Sequence, residues 1–401
     1  MSLMKWAYNT MPKTDDKNLK LMSVDEITKA KEFHKSFPQY SETPLVKLDK
    51  MAKYLGLGVV YVKDESFRFG LNAFKVLGGS FAIGKYIASK TGRDISELPY
   101  NVLTSKELLD KFGKTTFYTA TDGNHGRGVA WAANKLGQKS VVLMPKGSTL
   151  TRLNNIRAEN AEASITQENY DECVRMAAKM ADETGGVIVQ DTAWDGYEEI
   201  PTWIMQGYGT MALEAIDRMK KYGTDAPTHI FVQAGVGSLA GAITGIAANV
   251  FKDNPPKVVV VEADVADCLY KGAKHGDGSI QTVDGDMQTI MAGLACGEPN
   301  TISWDILKNH VDTFVSASDS VAARGMRMLA APIQGDTQVK SGESGAAPFG
   351  VLSYIMLDDD YKELREHLGL GKDSKVLLFS TEGDTDPEVY KNIVWEGKNT
   401  K

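Results

Sequence analysis

The sequence predicts an α/β protein built on mostly parallel strands covered by helices. Three observations carry that expectation. Short runs rich in β-branched residues alternate with amphipathic stretches along nearly the whole chain, several of those runs are continuously apolar, and a glycine-bearing turn joins one run to its helix. Strands buried on both faces read as unbroken Val/Ile runs, and connecting them through helices makes the pairing parallel. Such a sheet binds its ligands at the carboxyl ends of its strands.

The elements follow in order. VVYVKDES (59–66) is a buried strand, and the pattern over 73–89 is its helix. TTFYTATD (115–122) leads into HGRGVAWAANKLG (125–137), and KSVVLMP (139–145) into a helical stretch over 150–159. GGVIVQD (185–191) precedes a long pattern over 201–222, which has Pro201 near its first turn and Gly223 past its end, the usual start and stop chemistry. THIFVQAG (228–235) feeds SLAGAITGIAANVF (238–251), then come KVVVVEA (257–263) and a last buried strand in KVLLFSTEGD (375–384). The polar patch over 90–110 reads as an inserted helix-loop, and Cys173 falls in a helical pattern. No internal repeat or low-complexity linker is visible, so any domain boundary is crossed without a linker, as when one domain is inserted in another.

At 401 residues the chain has ample length for two or three compact units. Hydrophobic and charged contents of 42% and 24% are those of a soluble globular protein, and a net charge of −7 without basic runs argues against nucleic-acid binding. No run approaches membrane-spanning length, and no signal peptide is legible, which makes the cytoplasm the expected compartment. Three cysteines exclude a disulfide framework and a four-cysteine zinc site; no metal is expected. Cys268 and Cys296 fall in what read as loops at the ligand-binding end of the sheet, where a redox-sensitive bridge is conceivable against the ordinary reading of two reduced thiols.

Four features bear on chemistry. Lys75, in GLNAFKVLGGS, sits in an apolar setting with no acid within a helical turn, so it either snorkels its charge to water or is held as a reactive amine. The turn QAGVGSLAG (233–241) offers backbone N–H groups and a helix amino terminus to an anion, or is simply a tight turn; Glu262 gives weak support to a dinucleotide reading. Thr121, Asp122, Asn124 and His125, in TATDGNHGRG, can grip a carboxylate or merely cap a helix. Asp191, Glu382 and Asp384 place acids at strand ends, where an α/β enzyme keeps acid–base groups. Together these are the parts of a pyridoxal phosphate site.

With that combination in hand, KDES, FGLNAFK, TATDGNHGRGVAWAA, VIVQDTAW, IPTWIMQGY, QAGVG, IMAGLACGEPN, SGESGA and STEGDTD, in this order, closely resemble the diaminopropionate ammonia-lyases. These are a branch of the fold-type II pyridoxal phosphate enzymes, and the resemblance runs from about Thr43 to Gly397. The wider group usually carries Ser-Phe-Lys before an Arg-Gly pair and a nearly all-glycine phosphate loop. Here Ala73-Phe74-Lys75 runs into Val76-Leu77-Gly78-Gly79, and Val236 and Ser238 interrupt the loop, departures shared with the ammonia-lyase branch.

The resemblance implies two domains, each a mostly parallel sheet flanked by helices, with the active site in the cleft between them. Residues 1–85 and 196–401 would form the larger cofactor-binding domain and residues 86–195 the smaller, inserted one. It implies elimination of 2,3-diaminopropionate, D and L, to pyruvate and two ammonia, by a cytoplasmic homodimer acting on a small amino acid. Lys75 would carry pyridoxal 5'-phosphate as a Schiff base and act on the L-substrate, with Asp122 the base for the D-substrate. Asp191 would hold the distal ammonium, and Thr121, Asp122, Asn124 and His125 would join it in contacting the substrate. Asn124 would bond the cofactor's phenolic oxygen, Gly235, Val236, Gly237, Ser238 and Leu239 its phosphate, and Ser380 or Thr381 its ring nitrogen. The rivals are a serine/threonine dehydratase, a β-replacement synthase, or a non-catalytic phosphate- or nucleotide-binding protein.

Overall fold

The computed structural model describes residues 3–400, which fall into two compact units. The first comprises Met1–Lys20, Thr43–Phe67 and Met211–Lys401; the second comprises Leu21–Glu42 and Arg68–Thr210.

The first unit is built on seven strands: β1 (Met4–Tyr8), β2 (Leu45–Lys47), β3 (Val59–Asp64), β8 (His229–Gln233), β9 (Lys257–Ala263), β10 (Thr313–Ala317) and β11 (Lys375–Ser380). Their order is β1-β10-β9-β8-β11-β3-β2, parallel from β10 to β3, with β1 and β2 antiparallel at the two edges. In β9, Val258, Val259, Val260 and Val261 are all buried, as an unbroken valine run in a sheet covered on both faces requires. Val60, Val62, Phe231, Val259, Val261, Val315, Val376 and Leu378 share one core with Phe349, Val351 and Leu352 of the helix Glu343–Leu357.

The second unit carries four parallel strands, β4 (Thr116–Ala120), β5 (Lys139–Met144), β6 (Glu162–Ile165) and β7 (Val187–Ile188), in the order β6-β5-β4-β7. β7 stops after two residues because the Tyr197 hydroxyl takes over the next backbone groups, accepting from the Gln190 N–H at 2.8 Å and donating to the Ile188 carbonyl at 3.0 Å. Helix Val76–Thr91 meets both helix Asn124–Lys135 and helix Glu199–Lys221 at backbone distance. A Cβ on Gly207 would lie 2.3 Å from the Leu77 carbonyl oxygen, and one on Gly128 would lie 2.7 Å from the Val76 nitrogen.

That packing explains why the unit boundaries differ from those read in the sequence. Helix Val76–Thr91 is fastened through glycines to helix Asn124–Lys135 on one side and to residues 199–210 on the other, so all three cluster in the second unit. Residues 21–42 join them: Phe33 stacks edge-on against Phe81, and a Cβ on Gly84 would sit 2.7 Å from the Phe33 ring. No helix among the described residues is long and apolar enough to cross a membrane.

Candidate active site

Each sheet reverses its direction of growth once. In the second unit the chain lays down β4, β5 and β6, then returns to place β7 on the far side of β4; in the first it lays down β8, β9 and β10, then returns to insert β11 between β8 and β3. Ligands of open α/β sheets bind outside the carboxyl ends of the strands flanking such a reversal. Past β4 and β7 come Thr121–Asn124 and Asp191; past β8 comes Gly235–Gly237, and β11 ends on Ser380 with Thr381 after it.

In the second unit Lys75 stands at the amino end of helix Val76–Thr91. The segment leading to it turns sharply: Phe69, Gly70 and Asn72 all have left-handed backbones, with φ of 51°, 73° and 60°. Two of these are not glycine, a strain that persists only where packing enforces it. Phe69 is pinned between Phe37 and Trp131, with ring centroids 5.8 and 4.9 Å away. So delivered, the Lys75 ammonium forms an ion pair and hydrogen bond with the Asp191 carboxylate, and its side chain is only 20% exposed. Its nitrogen also lies over the Phe74 and Tyr208 rings, 5.6 and 5.9 Å from their centroids.

Two effects oppose the ammonium: burial, and the positive end of the helix dipole. The Asp191 carboxylate, helped by Tyr208, outweighs them and holds Lys75 above the ordinary lysine value. Asp191 moves the other way. Burial alone would raise it, but the Lys75 ammonium brings it down to about 2. The Tyr208 hydroxyl, pushed far up by burial, donates to Asp191 Oδ2 at 3.5 Å. His125 Nε2 lies 2.8 Å from the Val189 carbonyl oxygen, which can only accept, so the proton sits on Nε2. Its Nδ1 is left as a buried acceptor without a hydrogen-bond partner, 3.8 Å from Asp191 Oδ2, and burial pushes the ring's pKa down.

Around the end of β4 the loop is held from within. Thr121 Oγ1 accepts from the Gly123 and Gly126 N–H groups at 2.9 and 3.0 Å, so this hydroxyl's lone pairs are spent on the turn. Asn124 opens helix Asn124–Lys135, a residue earlier than the sequence suggested. Asp122 lies beyond it, partly exposed, with Arg152 Nη1 3.4 Å from Oδ2.

In the first unit, Gly235, Val236 and Gly237 join β8 to helix Ser238–Val250. Gly237 has φ of 99°, which favours glycine, and a Cβ on Gly235 would press on the Gly293 carbonyl and Cys296 Sγ at 3.1 and 3.3 Å. The non-glycine residues keep their side chains inward. Val236, Ser238 and Leu239 are buried, and Ser238 Oγ accepts from Asn300 Nδ2 at 2.9 Å. The turn therefore presents backbone N–H groups at a helix amino terminus and no acid, a donor set suited to phosphate. At the end of β11, Ser380 Oγ donates to Ser341 Oγ at 2.8 Å, and Thr381 Oγ1 accepts from Gln233 Nε2 at 2.6 Å.

Several readings change. Glu262 is wholly buried, and its two oxygens accept from the Leu269 and Tyr270 N–H groups at 2.8 and 2.7 Å; it caps helix Cys268–His275 instead of facing a ribose. Cys268 is the first residue of that helix, not a loop residue, and it and Cys296 are free thiols. Glu382 accepts from the Ser344 N–H at 3.2 Å, and Asp384 pairs with Lys340 at 3.1 Å, so both serve the loop. Sequence reasoning missed Tyr208, Arg152, Ser341 and the amide of Gln233. Arg152 lies inside a helical pattern that looks like surface, while Tyr208 in IPTWIMQGY, Gln233 in QAGVG and Ser341 in SGESGA fall within the stretches that carry the resemblance without standing out as chemical groups.

A half-buried lysine at a helix start with its carboxylate, beside a sheet switch point, and a glycine anion turn at a second switch point define a cofactor-dependent α/β enzyme. The chain belongs to the pyridoxal-phosphate dependent enzyme family, which matches residues 37–381. Within that family it groups with the diaminopropionate ammonia-lyases. It is 50% identical over 400 residues to the diaminopropionate ammonia-lyase of Salmonella typhimurium strain LT2, covering 99% of each chain, so the similarity also takes in the first forty residues. The crystal structure of the Escherichia coli diaminopropionate ammonia-lyase in complex with D-serine matches with a TM-score of 0.90 at 44% identity, over 99% of this chain and 98% of that one. The same enzyme in complex with an aminoacrylate-PLP azomethine reaction intermediate matches with a TM-score of 0.89, again at 44% identity and the same coverage. The residues present fit the cofactor: the Lys75 amine, over the Phe74 and Tyr208 rings, suits its aldehyde, and the backbone N–H groups of the Gly235–Leu239 turn suit its phosphate.

Proposed function

We propose that this chain eliminates both amino groups of 2,3-diaminopropionate, D and L, giving pyruvate and two ammonia with uptake of water. The observation that carries the reading is the pair of half-buried Lys75 and buried Asp191, an amine and a carboxylate brought together from 116 residues apart at a sheet's switch point. Similarity over the full length to the Salmonella typhimurium diaminopropionate ammonia-lyase supports the choice of substrate.

Pyridoxal phosphate, when bound, supplies the electron sink for the pair left at Cα when its proton departs. The chain's own residues do the rest. Lys75 would hold the cofactor through its amine and, as the free amine, would take the Cα proton of the L-enantiomer. Asp122 takes it from the D-enantiomer. Asp191 holds the substrate's distal ammonium, which replaces the Lys75 ammonium as its partner, and keeps it a good leaving group. Gly235–Leu239 would hold the phosphate, Asn124 the phenolic oxygen, and a hydroxyl of Ser380 or Thr381 the ring nitrogen; Thr121 and His125 complete the substrate's surroundings. A cytoplasmic homodimer is part of the reading.

The test is pyruvate release, with diaminopropionate, serine and threonine assayed side by side on the purified protein. Diaminopropionate should be preferred in both enantiomeric forms. Preference for serine or threonine would make this a dehydratase, and a protein that takes up no cofactor would make it a binder.

A further inference from the structure

We propose that Gln233 is a positioning residue that decides which hydroxyl faces the cofactor's ring nitrogen as a donor: it commits Thr381 to donate outward, while Ser380 donates inward. The inference rests on the pyridoxal phosphate reading above. It follows from the sense of four hydrogen bonds at the carboxyl ends of the neighbouring strands β8 and β11.

Gln233 is the last residue of β8, and its Nε2 lies 3.1 Å from the Phe379 carbonyl oxygen and 2.6 Å from Thr381 Oγ1. A backbone carbonyl only accepts, so the nitrogen end of the amide must lie on that side. Each of its two N–H bonds then has an acceptor, and Thr381 Oγ1 is the second. With its oxygen accepting from Gln233, the Thr381 hydroxyl must send its own proton elsewhere. Ser380 is wired the opposite way. Its Oγ lies 2.8 Å from Ser341 Oγ and 3.5 Å from the Glu382 carbonyl oxygen, and again the carbonyl can only accept, so the Ser380 proton points into the protein. Gln233, Ser380 and Thr381 are all buried, so water does not reset these directions.

The arrangement carries a cost that packing alone would not select. Gln233 Oε1 is a buried acceptor with no hydrogen-bond donor, so the residue gives up one bond to make the other two. What it gains is a fixed donor. A hydroxyl that donates to a pyridine nitrogen keeps that nitrogen unprotonated, which makes the ring a milder electron sink, suited to elimination over transamination. Gln233 also runs directly into Ala234 and the Gly235 turn, so the amide that sets the ring-end donor sits on the strand that sets the phosphate turn.

The test reconstitutes the apoprotein with pyridoxal phosphate carrying nitrogen-15 in the ring and reads that nitrogen by NMR, alongside the cofactor's dissociation constant. Wild type should show an unprotonated, hydrogen-bonded ring nitrogen. Thr381→Val should move the signal toward a free pyridine and weaken cofactor binding by about ten- to a hundredfold, as for a buried bond left unmade. Thr381→Ser should restore both. Gln233→Glu, whose carboxylate accepts and so turns the Thr381 proton inward, should move the signal as Thr381→Val does; Ser380→Ala should leave it in place. Should Gln233→Glu fail to fold, Gln233→Met takes its place, and Thr381→Val against Ser380→Ala still decides the assignment. A signal that moves with Ser380→Ala and not with Thr381→Val, or that ignores Gln233, overturns the proposal. The underlying reading fails differently: wild type would then take up no cofactor, and borohydride would fix no label on Lys75.

Discussion

Replacing Asp191 by Asn should speed capture of the cofactor by the apoprotein and slow turnover, two opposite effects of one lost charge. Lys75 keeps its proton only because Asp191 outweighs burial. Two unit charges about 4 Å apart in a partly buried site attract by about 4 kcal/mol at an effective dielectric constant near 20, or roughly three pKa units. Asparagine keeps the shape and leaves desolvation and the helix dipole unopposed, so the Lys75 pKa should fall from above 10.5 to below it. The neutral fraction of the amine at pH 8 then rises by roughly a hundredfold or more. Stopped-flow absorbance of Schiff-base formation between pH 7 and about 10 should show a rate climbing throughout in wild type and levelling off in the variant. With diaminopropionate kcat/KM should fall by about ten- to a hundredfold, the worth of one hydrogen bond to a charged group. The acid side carries a second signature. Asp191 is depressed to about 2, so the stability its pair contributes is complete above 3.8 and fades as pH falls toward about 2. A variant that captures cofactor at the wild-type rate, with no plateau, would show that Asp191 does not govern the amine.

Lys75→Ala should abolish the borohydride-fixed cofactor and nearly all pyruvate release with both enantiomers, while cofactor still binds weakly; a retained Schiff-base absorption band would make Lys75 a bystander. Asp122→Asn should cost the D-enantiomer about a hundred- to ten-thousandfold in kcat and the L-enantiomer far less, and equal losses would mean that Asp122 orients rather than takes the proton. Gly128→Ala would set a Cβ 2.7 Å from the Val76 nitrogen and 3.0 Å from the Lys75 carbonyl carbon. Overpacking of about 1–3 kcal/mol should lower the melting temperature by about 1–4 °C in thermal unfolding and slow cofactor capture; an unchanged Tm and capture rate would refute the close packing of the two helices.

Much of the fold was legible because the central strands are nearly pure apolar runs. KVVVVEA, THIFVQAG and KVLLFSTEGD became β9, β8 and β11 within a residue or two of their apolar cores. The strands that escaped notice lack that mark. β6, EASI, is a half-exposed edge of four residues; β2 has three; β1 is an antiparallel edge that alternates imperfectly; and β10, TFVSA, is buried but carries a threonine and a serine. Periodicity cannot separate such pieces from loop. The unit boundaries were illegible for another reason. Glycines at 78, 128 and 207 looked like ordinary helix residues, and only in three dimensions do they show as the points where three helices touch and draw Lys75 into the second unit.

The site divides along the same line. Residues at strand ends could be found because strand ends are found first, and parallel sheets gather chemistry there. What one strand end does to a distant lysine could not be found this way, since Asp191 is 116 residues from Lys75 and no local spacing joins them. The lack of any nearby acid was nevertheless informative. A lysine in an apolar setting at a helix start loses ground to desolvation and to the dipole, so if it stays charged, a carboxylate must come from elsewhere in the fold. The strand-end acids were the available donors of that charge, and β7 is the strand that returns beside β4 to bring one of them in. The sequence therefore posed the question that the fold answers with Asp191. The hydrogen-bond senses at Gln233, Thr381 and Ser380 lie beyond any such inference, because they depend on which carbonyl each side chain faces.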